Sequence, residues 1–321
     1  MPLHPGFCLA VVFHHQFWPT RLAGIVLAVL LSATAGGRAE EPKDDAKEEL
    51  QGLHNQFVRI LRNSVKVPQA MQTAVVRHVP QDCGRDRPTV DLVAAVHIGD
   101  PGYYQQLNGL FEKYEVVLFE LLAPESVTVP KGGGSAKGNP VSAIQNAMTA
   151  ALDLQFQLKG IDYTRKNFVH ADMSPEEFAK SMDRRGESLV QMFFRAMGYG
   201  LARQNGGQSG LGDGELLMAL MNKNRALALK RVMAGQFEDL EGQIGALNGK
   251  DGSTLITERN KKALAVLEKQ IEQGKGRIAI FYGAGHMHDM QQRLKDEFGL
   301  APISTRWLTA WDMRDPAPPR K

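Results

Sequence analysis

Cysteine is almost missing. Of 321 residues only Cys8 and Cys83 are cysteines, and Cys8 falls in the leader described below. Cys83 is then alone in the remaining chain, so no internal disulfide is open to it. It lies in the turn-like PQDCGRDRP and reads as a bystander. A chain without bridges has to be held by its core, and 43% hydrophobic residues supply one while ruling out disorder. An excess of charge of one sign is missing as well. The 38 basic residues, less Arg21 and Arg38 of the leader, leave 36 against 35 acidic ones. That balance, with no dense Lys/Arg cluster carrying interleaved aromatics, excludes a nucleic-acid surface. Common enzyme signatures are absent too: no His-Glu-x-x-His helix, no Gly-x-Ser-x-Gly elbow, no Cys-x-x-Cys-His haem attachment. GGQSGLGDGE lacks the Gly-Lys-Ser/Thr ending of a phosphate loop and reads as a linker. No repeat of solenoid period occurs.

What is present begins with RLAGIVLAVLLSATAGGRAEEPKDD, in which Arg21 precedes an apolar run and Gly37 and Ala39 stand at minus three and minus one. This pattern predicts a signal peptide over 1–39, cleaved after Ala39, and a periplasmic or secreted chain. The alternative is an N-terminal membrane anchor, and membrane association is expected only in that case. Residues 40–321 are expected to form a single domain.

After the charged EEPKDDAKEEL a helical pattern runs to about Leu61. QTAVVRHV and TVDLVAAV follow as strands, joined by a Pro/Asp/Gly turn and therefore able to pair as a hairpin. PGYYQQLNGLFEKY has helical spacing, and EVVLFELL is a strand too apolar to be half exposed. Strand, helix and strand in this order make a crossover between parallel strands, with both C-terminal ends at one sheet edge. The middle, about 140–235, reads as a helical insertion. It contains a stripe of Ile144, Met148, Ala151 and Leu152, a capping box at Ser174-Pro175-Glu176-Glu177, and a helix presenting Leu189, Met192, Phe193 and Met197. Strand–helix alternation then returns: a helix through Leu264, Leu267 and Ile271 closed by Gly274, the strand RIAIFY, a helix ended by Gly299, and the strand STRWLTAWDM. The expected fold is α/β, with a central mixed, largely parallel sheet flanked by helices.

Twice the chain runs an apolar strand through small residues into a histidine. VDLVAAVH ends in His97 and RIAIFYGAGH in His286. The carboxyl edge of an open α/β sheet is where loops diverge and ligands sit, and glycine before the imidazole permits close approach. Glu120, embedded in VVLFELL, would cost several kcal/mol to bury unpaired, on the order of ion desolvation. It therefore calls for a cationic partner, and parallel strands bring it to the edge that carries His97. Two imidazoles and a carboxylate are a ligand set for a divalent metal. His288 is a second candidate beside His286. GIDYTRKNFVHADMS gathers Asp162, Tyr163, Arg165, His170 and Asp172; Asp172 and Ser174 are expected to organise the start of the next helix, the alternative being that His170 and Asp172 lean into the site.

AAVH and GAGH, together with YYQQLN, YEVVLFE, TERN and RIAIFYGAGHM, resemble the TraB/GumN family, whose relatives include the Tiki metalloproteases and the haem-binding ChaN proteins. The likeness covers about Val90 to Glu120 and Thr257 to Leu300. Ala94 stands where the family has glycine, which is harmless only at a negative φ. The resemblance implies a ChaN/Tiki-like α/β fold and metal-dependent peptide hydrolysis. It places His97, His286 and Glu120 at a divalent metal (Mn, Co or Zn), with Arg259 and Asn260 of TERN close by. Such an ion lowers the pKa of bound water and polarises a carbonyl; Arg259 would stabilise the oxyanion, and Glu120 would be ligand or general base. The implied partner is a peptide or protein substrate. Two other readings remain: a haem or apolar-cofactor carrier, whose slot would be lined by methionine and phenylalanine, and a catalytically idle interaction module. Hydrolysis requires Arg259 and Glu120 to converge.

Overall fold

A computed structural model describes residues 57–81, 88–125, 127–132, 152–188, 213–237 and 240–316. The leader with its cleavage position, Cys83, the Ile144–Ala151 part of the stripe, the Leu189–Met197 helix and most of the glycine-rich linker lie outside them.

The sheet begins with β1 (Val58–Arg62), β2 (Pro68–Pro80) and β3 (Thr89–Ala95). β2 and β3 pair antiparallel, as the turn between them predicts, with Val75 opposite Val93 and His78 opposite Val90. β1 corrects the expected helix running to Leu61. Val58 to Leu61 pair residue by residue with Thr73 back to Ala70, so the open edge of β2 recruits as a strand a segment whose short apolar pattern suits either state. β4 (Ile98–Gly99) and α1 (Pro101–Phe111) follow, and then β5 (Val116–Phe119). α1 opens with proline in its first turn and buries Tyr103, Tyr104, Leu107, Leu110 and Phe111, the stripe expected of a helix laid on a core.

The middle is not helical throughout. β6 (Gln155–Phe156) pairs with β4, one helical turn α2 (Gln157–Gly160) follows, and β7 (Phe168–His170) joins the main sheet as the parallel neighbour of β5. Strands of two and three residues are too short to display a period, which is why sequence passes over them. α3 (Pro175–Arg185) is the predicted capped helix: Ser174 accepts from the Glu177 amide, and Glu177 accepts from the Ser174 amide. α4 (Asp213–Met221), α5 (Arg225–Ala234) and α6 (Leu240–Asn248) complete this stretch. A π-helical turn, Thr254–Glu258, leads into α7 (Arg259–Glu272), β8 (Arg277–Gly283), α8 (Met287–Phe298) and β9 (Leu300–Asp312).

The seven-stranded sheet runs β1-β2-β3-β8-β5-β7, with β9 antiparallel on β2. β3, β8, β5 and β7 are mutually parallel, so the protein is α/β with a mixed sheet. β8 inserts between the two strands of the predicted crossover and is buried along all but its ends. Strands covered on both faces lose the polar alternation of half-exposed ones, and β3, β5 and β8 are apolar runs for that reason. Among the described residues no helix is long and apolar enough to cross a membrane.

Candidate functional site

Parallel register decides what meets at the sheet's carboxyl edge. Ala95 lies opposite Gly283, Phe119 opposite Phe281, and His170 opposite Phe119. The next residues along each strand, leading to His97, Glu120, Asp172 and His286, therefore step off one rim.

His97 stands on a loop whose backbone is fastened from several directions. Tyr103 donates to the Ala94 carbonyl at 3.2 Å and Tyr104 to that of Val96 at 3.0 Å. The Gln157 amide donates to the His97 carbonyl at 2.8 Å, and the Trp311 indole to that of Ile98 at 2.9 Å. Asp100 takes Lys230 Nζ at 2.7 Å and the Asp312 amide at 2.6 Å. The imidazole itself is exposed. Ala94 lies within β3, fully buried and outside the positive-φ residues, so its methyl costs no backbone strain.

Three small residues precede His286 for separate reasons. A Cβ on Gly283 would stand 3.2 Å from Glu120 Oε2, 3.9 Å from the His286 ring and 4.0 Å from His97 Nε2. The glycine thus leaves the point around which all three side chains gather. A Cβ on Gly285 would press on Ile244 at 2.8 Å, so this glycine admits α6, while Ala284 is buried between them.

Glu120 receives the Gly283 amide on Oε2 at 2.6 Å and Arg259 Nη2 on Oε1 at 2.7 Å. Burial alone would raise its pKa, but Arg259, His286, His97 and the Gly283 amide together hold it well below the usual carboxylate range. Arg259 is 7% exposed. Its Nε and Nη2 clasp the fully buried Asp172 at 2.9 and 2.6 Å. Burial would lower its pKa; the two carboxylates raise it further above its ordinary value. Nη1 has only a long contact, 3.5 Å, with His286 Nε2.

His286 is 5% exposed, and burial brings its pKa down to about 4 against the opposing pull of Glu120. Nδ1 lies 2.7 Å from Asn260 Oδ1. Asn260 Nδ2 donates to the His286 carbonyl at 3.0 Å, so Oδ1 is the amide's acceptor and His286 Nδ1 carries the proton. Nε2, 3.5 Å from Glu120 Oε1, is left with its electron pair. Tyr282, whose pKa burial raises, donates to the Ala171 carbonyl at 2.5 Å and fixes the approach to Asp172.

The predicted residues thus come together: His97, Glu120 and His286 surround Gly283, and Arg259 and Asn260 reach them from the start of α7. Asp172 is a site residue that sequence assigned first to the start of α3 and only secondarily, together with His170, to the site. It has both duties, since the Met173 amide also donates to its Oδ1 at 2.7 Å. The only sequence signal was a carboxylate placed between apolar neighbours, the same signal that marked Glu120. His170 instead donates from Nε2 to the Leu121 carbonyl at 2.6 Å, Arg165 pairs with Glu112, Asp162 holds its own turn through Thr164, and His288 is exposed on α8. Among the described residues no three His, Cys, Asp or Glu side chains close into a ready-made metal cage. Compared with known proteins, the chain matches no family model, no curated protein and no solved structure.

Proposed function

We propose that the chain is an exported, TraB/GumN-like metal-dependent hydrolase with a ChaN/Tiki-like fold, acting on a peptide at the carboxyl edge of its sheet. The observation that carries this reading is the meeting of Glu120, Arg259 and His286, whose Nε2 faces Glu120 Oε1. Two ligands of one tetrahedral ion with bonds of about 2.1 Å stand about 3.4 Å apart, and His286 Nε2 and Glu120 Oε1 are separated by 3.5 Å. That separation supports His286 and Glu120 as two ligands of one divalent cation, with the exposed His97 at the same rim as the third. Oε1 can serve both such an ion and Arg259, because a carboxylate oxygen has more than one acceptor direction.

A bound divalent ion supplies an activated water and a polarised carbonyl. The chain's own groups do the rest. Asn260 keeps the His286 proton on Nδ1, so Nε2 is free to bind. Glu120, ionised far below neutrality, is a weak base, which supports its role as ligand and charge partner. Arg259 is locked by Asp172 and Glu120, leaving Nη1 available to a carbonyl oxygen that gains negative charge. This polarity also supports hydrolysis over a haem slot lined by methionine and phenylalanine.

Elemental analysis, a visible spectrum with and without added haem, and mass-spectrometric cleavage of a peptide library with Mn, Co or Zn test the proposal together. Stoichiometric metal, no Soret band and cleavage lost in Arg259→Met are expected. A library left intact with all three metals, or a stoichiometric Soret band, would sink it.

A further inference from the structure

The Asn260 amide that holds His286 is itself held from behind. We propose that Asp289, acting through that amide, is a positioning residue that fixes His286 as its Nδ1–H tautomer. Asn260 Nδ2 donates to Asp289 Oδ2 at 2.8 Å as well as to the His286 carbonyl at 3.0 Å. The same Asp289 oxygen accepts Arg293 Nε at 2.9 Å, and Arg293 Nη1 is tied to Glu297 at 2.6 Å. The carboxylate is thus anchored along α8 and cannot readily swing away from Asn260.

His286 has a competing choice. With its proton on Nε2 it could donate to Glu120 Oε1, 3.5 Å away, but Nδ1 would then need a donor in place of Asn260 Oδ1 at 2.7 Å. Only a rotated amide could provide one. Rotation would turn Oδ1 toward the His286 carbonyl and the Asp289 carboxylate, exchanging two hydrogen bonds for two contacts between acceptors. Removing the acceptor oxygen that Asp289 holds there between Asn260 and Arg293 leaves one opposing acceptor, the His286 carbonyl, so the rotated state becomes accessible. Asp289 also lies in the first turn of α8, where an acid favours the helix dipole; a merely structural role of that kind would leave the tautomer unchanged.

The consequence for metal binding rests on the hydrolase reading, whereas the tautomer does not. The test is long-range 1H–15N NMR of the imidazoles in the metal-free full chain, followed by Zn2+ titration. Wild type should show His286 as Nδ1–H alone. Asp289→Ala should show a measurable share of Nε2–H, and Asp289→Asn, which keeps an oxygen for Asn260 Nδ2, should restore the wild-type pattern. Outer-shell losses at metal sites weaken binding about 10–100-fold, so Zn2+ should bind Asp289→Ala at least about tenfold more weakly than Asp289→Asn. Finding Nε2–H in the wild type, or the wild-type tautomer in Asp289→Ala, overturns the inference. If Asp289→Ala does not fold, Asp289→Ser and the wild-type spectrum decide it. Normal tautomer behaviour without Zn2+ binding would defeat the hydrolase reading and leave this one standing.

Discussion

Asp172→Ala removes the partner that takes two of the hydrogen bonds of Arg259. Asp172 is fully buried and Arg259 is 7% exposed, so water cannot replace what is lost. Breaking a buried ion pair by removing one member costs about 3–5 kcal/mol. Glu120 remains as a partner at 2.7 Å, which places the expected loss at the lower end, about 3 kcal/mol. For a domain of this size each kcal/mol moves Tm by about 2–4 °C, so thermal unfolding of the metal-free protein should shift down by roughly 6–12 °C. The double variant Asp172→Ala/Arg259→Met should be less destabilised than the two single losses added together, because residues of one network are not additive and an apolar pair leaves no stranded guanidinium. A Tm drop below about 2 °C for Asp172→Ala, or strict additivity in the double variant, would show that Arg259 finds another partner and that the buried trio is not one electrostatic unit.

Three other outcomes are expected. His286→Ala and His97→Ala should both abolish Zn2+ retention measured by elemental analysis; the exposed His97 should change stability by less than about 0.5 kcal/mol, and near-UV and far-UV spectra should show a native fold in both. Gly283→Ala places a methyl 3.2 Å from Glu120 Oε2 at a backbone with φ of −53°, which alanine tolerates. It should weaken metal binding, read by calorimetric titration, while lowering Tm by only a few degrees. His78, on β2 and fully buried, has a pKa lowered by burial. The unfolded chain therefore binds its proton first, and the stability His78 confers is complete above about pH 6.5 and declines as pH falls below it. Urea titrations at pH 7.5 and 5.5 should show this loss in the wild type and a smaller one in His78→Gln; equal losses would refute it.

The predicted capping box at Ser174, the hairpin of β2 and β3, the apolar strands β5 and β8 and the glycine-closed helices α7 and α8 were legible because each depends on near neighbours: periodicity, a cap, a turn. β1, β6 and β7 were not. Their strand state depends on an edge presented by a distant segment, and they are too short to carry a period of their own.

The same division runs through the site. Sequence alone determined that two histidines follow small residues at strand ends, that Glu120 is set among apolar side chains and demands a cation, and that Gly283 leaves room beside them. Tertiary structure decided that the cation is Arg259, that Asp172 shares it, and that Asn260 Oδ1 accepts the hydrogen bond from His286 Nδ1. Parallel pairing through β8 brings residues 97, 120, 172 and 286 to one rim, and no local pattern specifies which strand lies between which. Hydrogen bonds and ion pairs depend on contact distance, so chain segments far apart in sequence acquire joint chemistry only after the sheet has set their order and register.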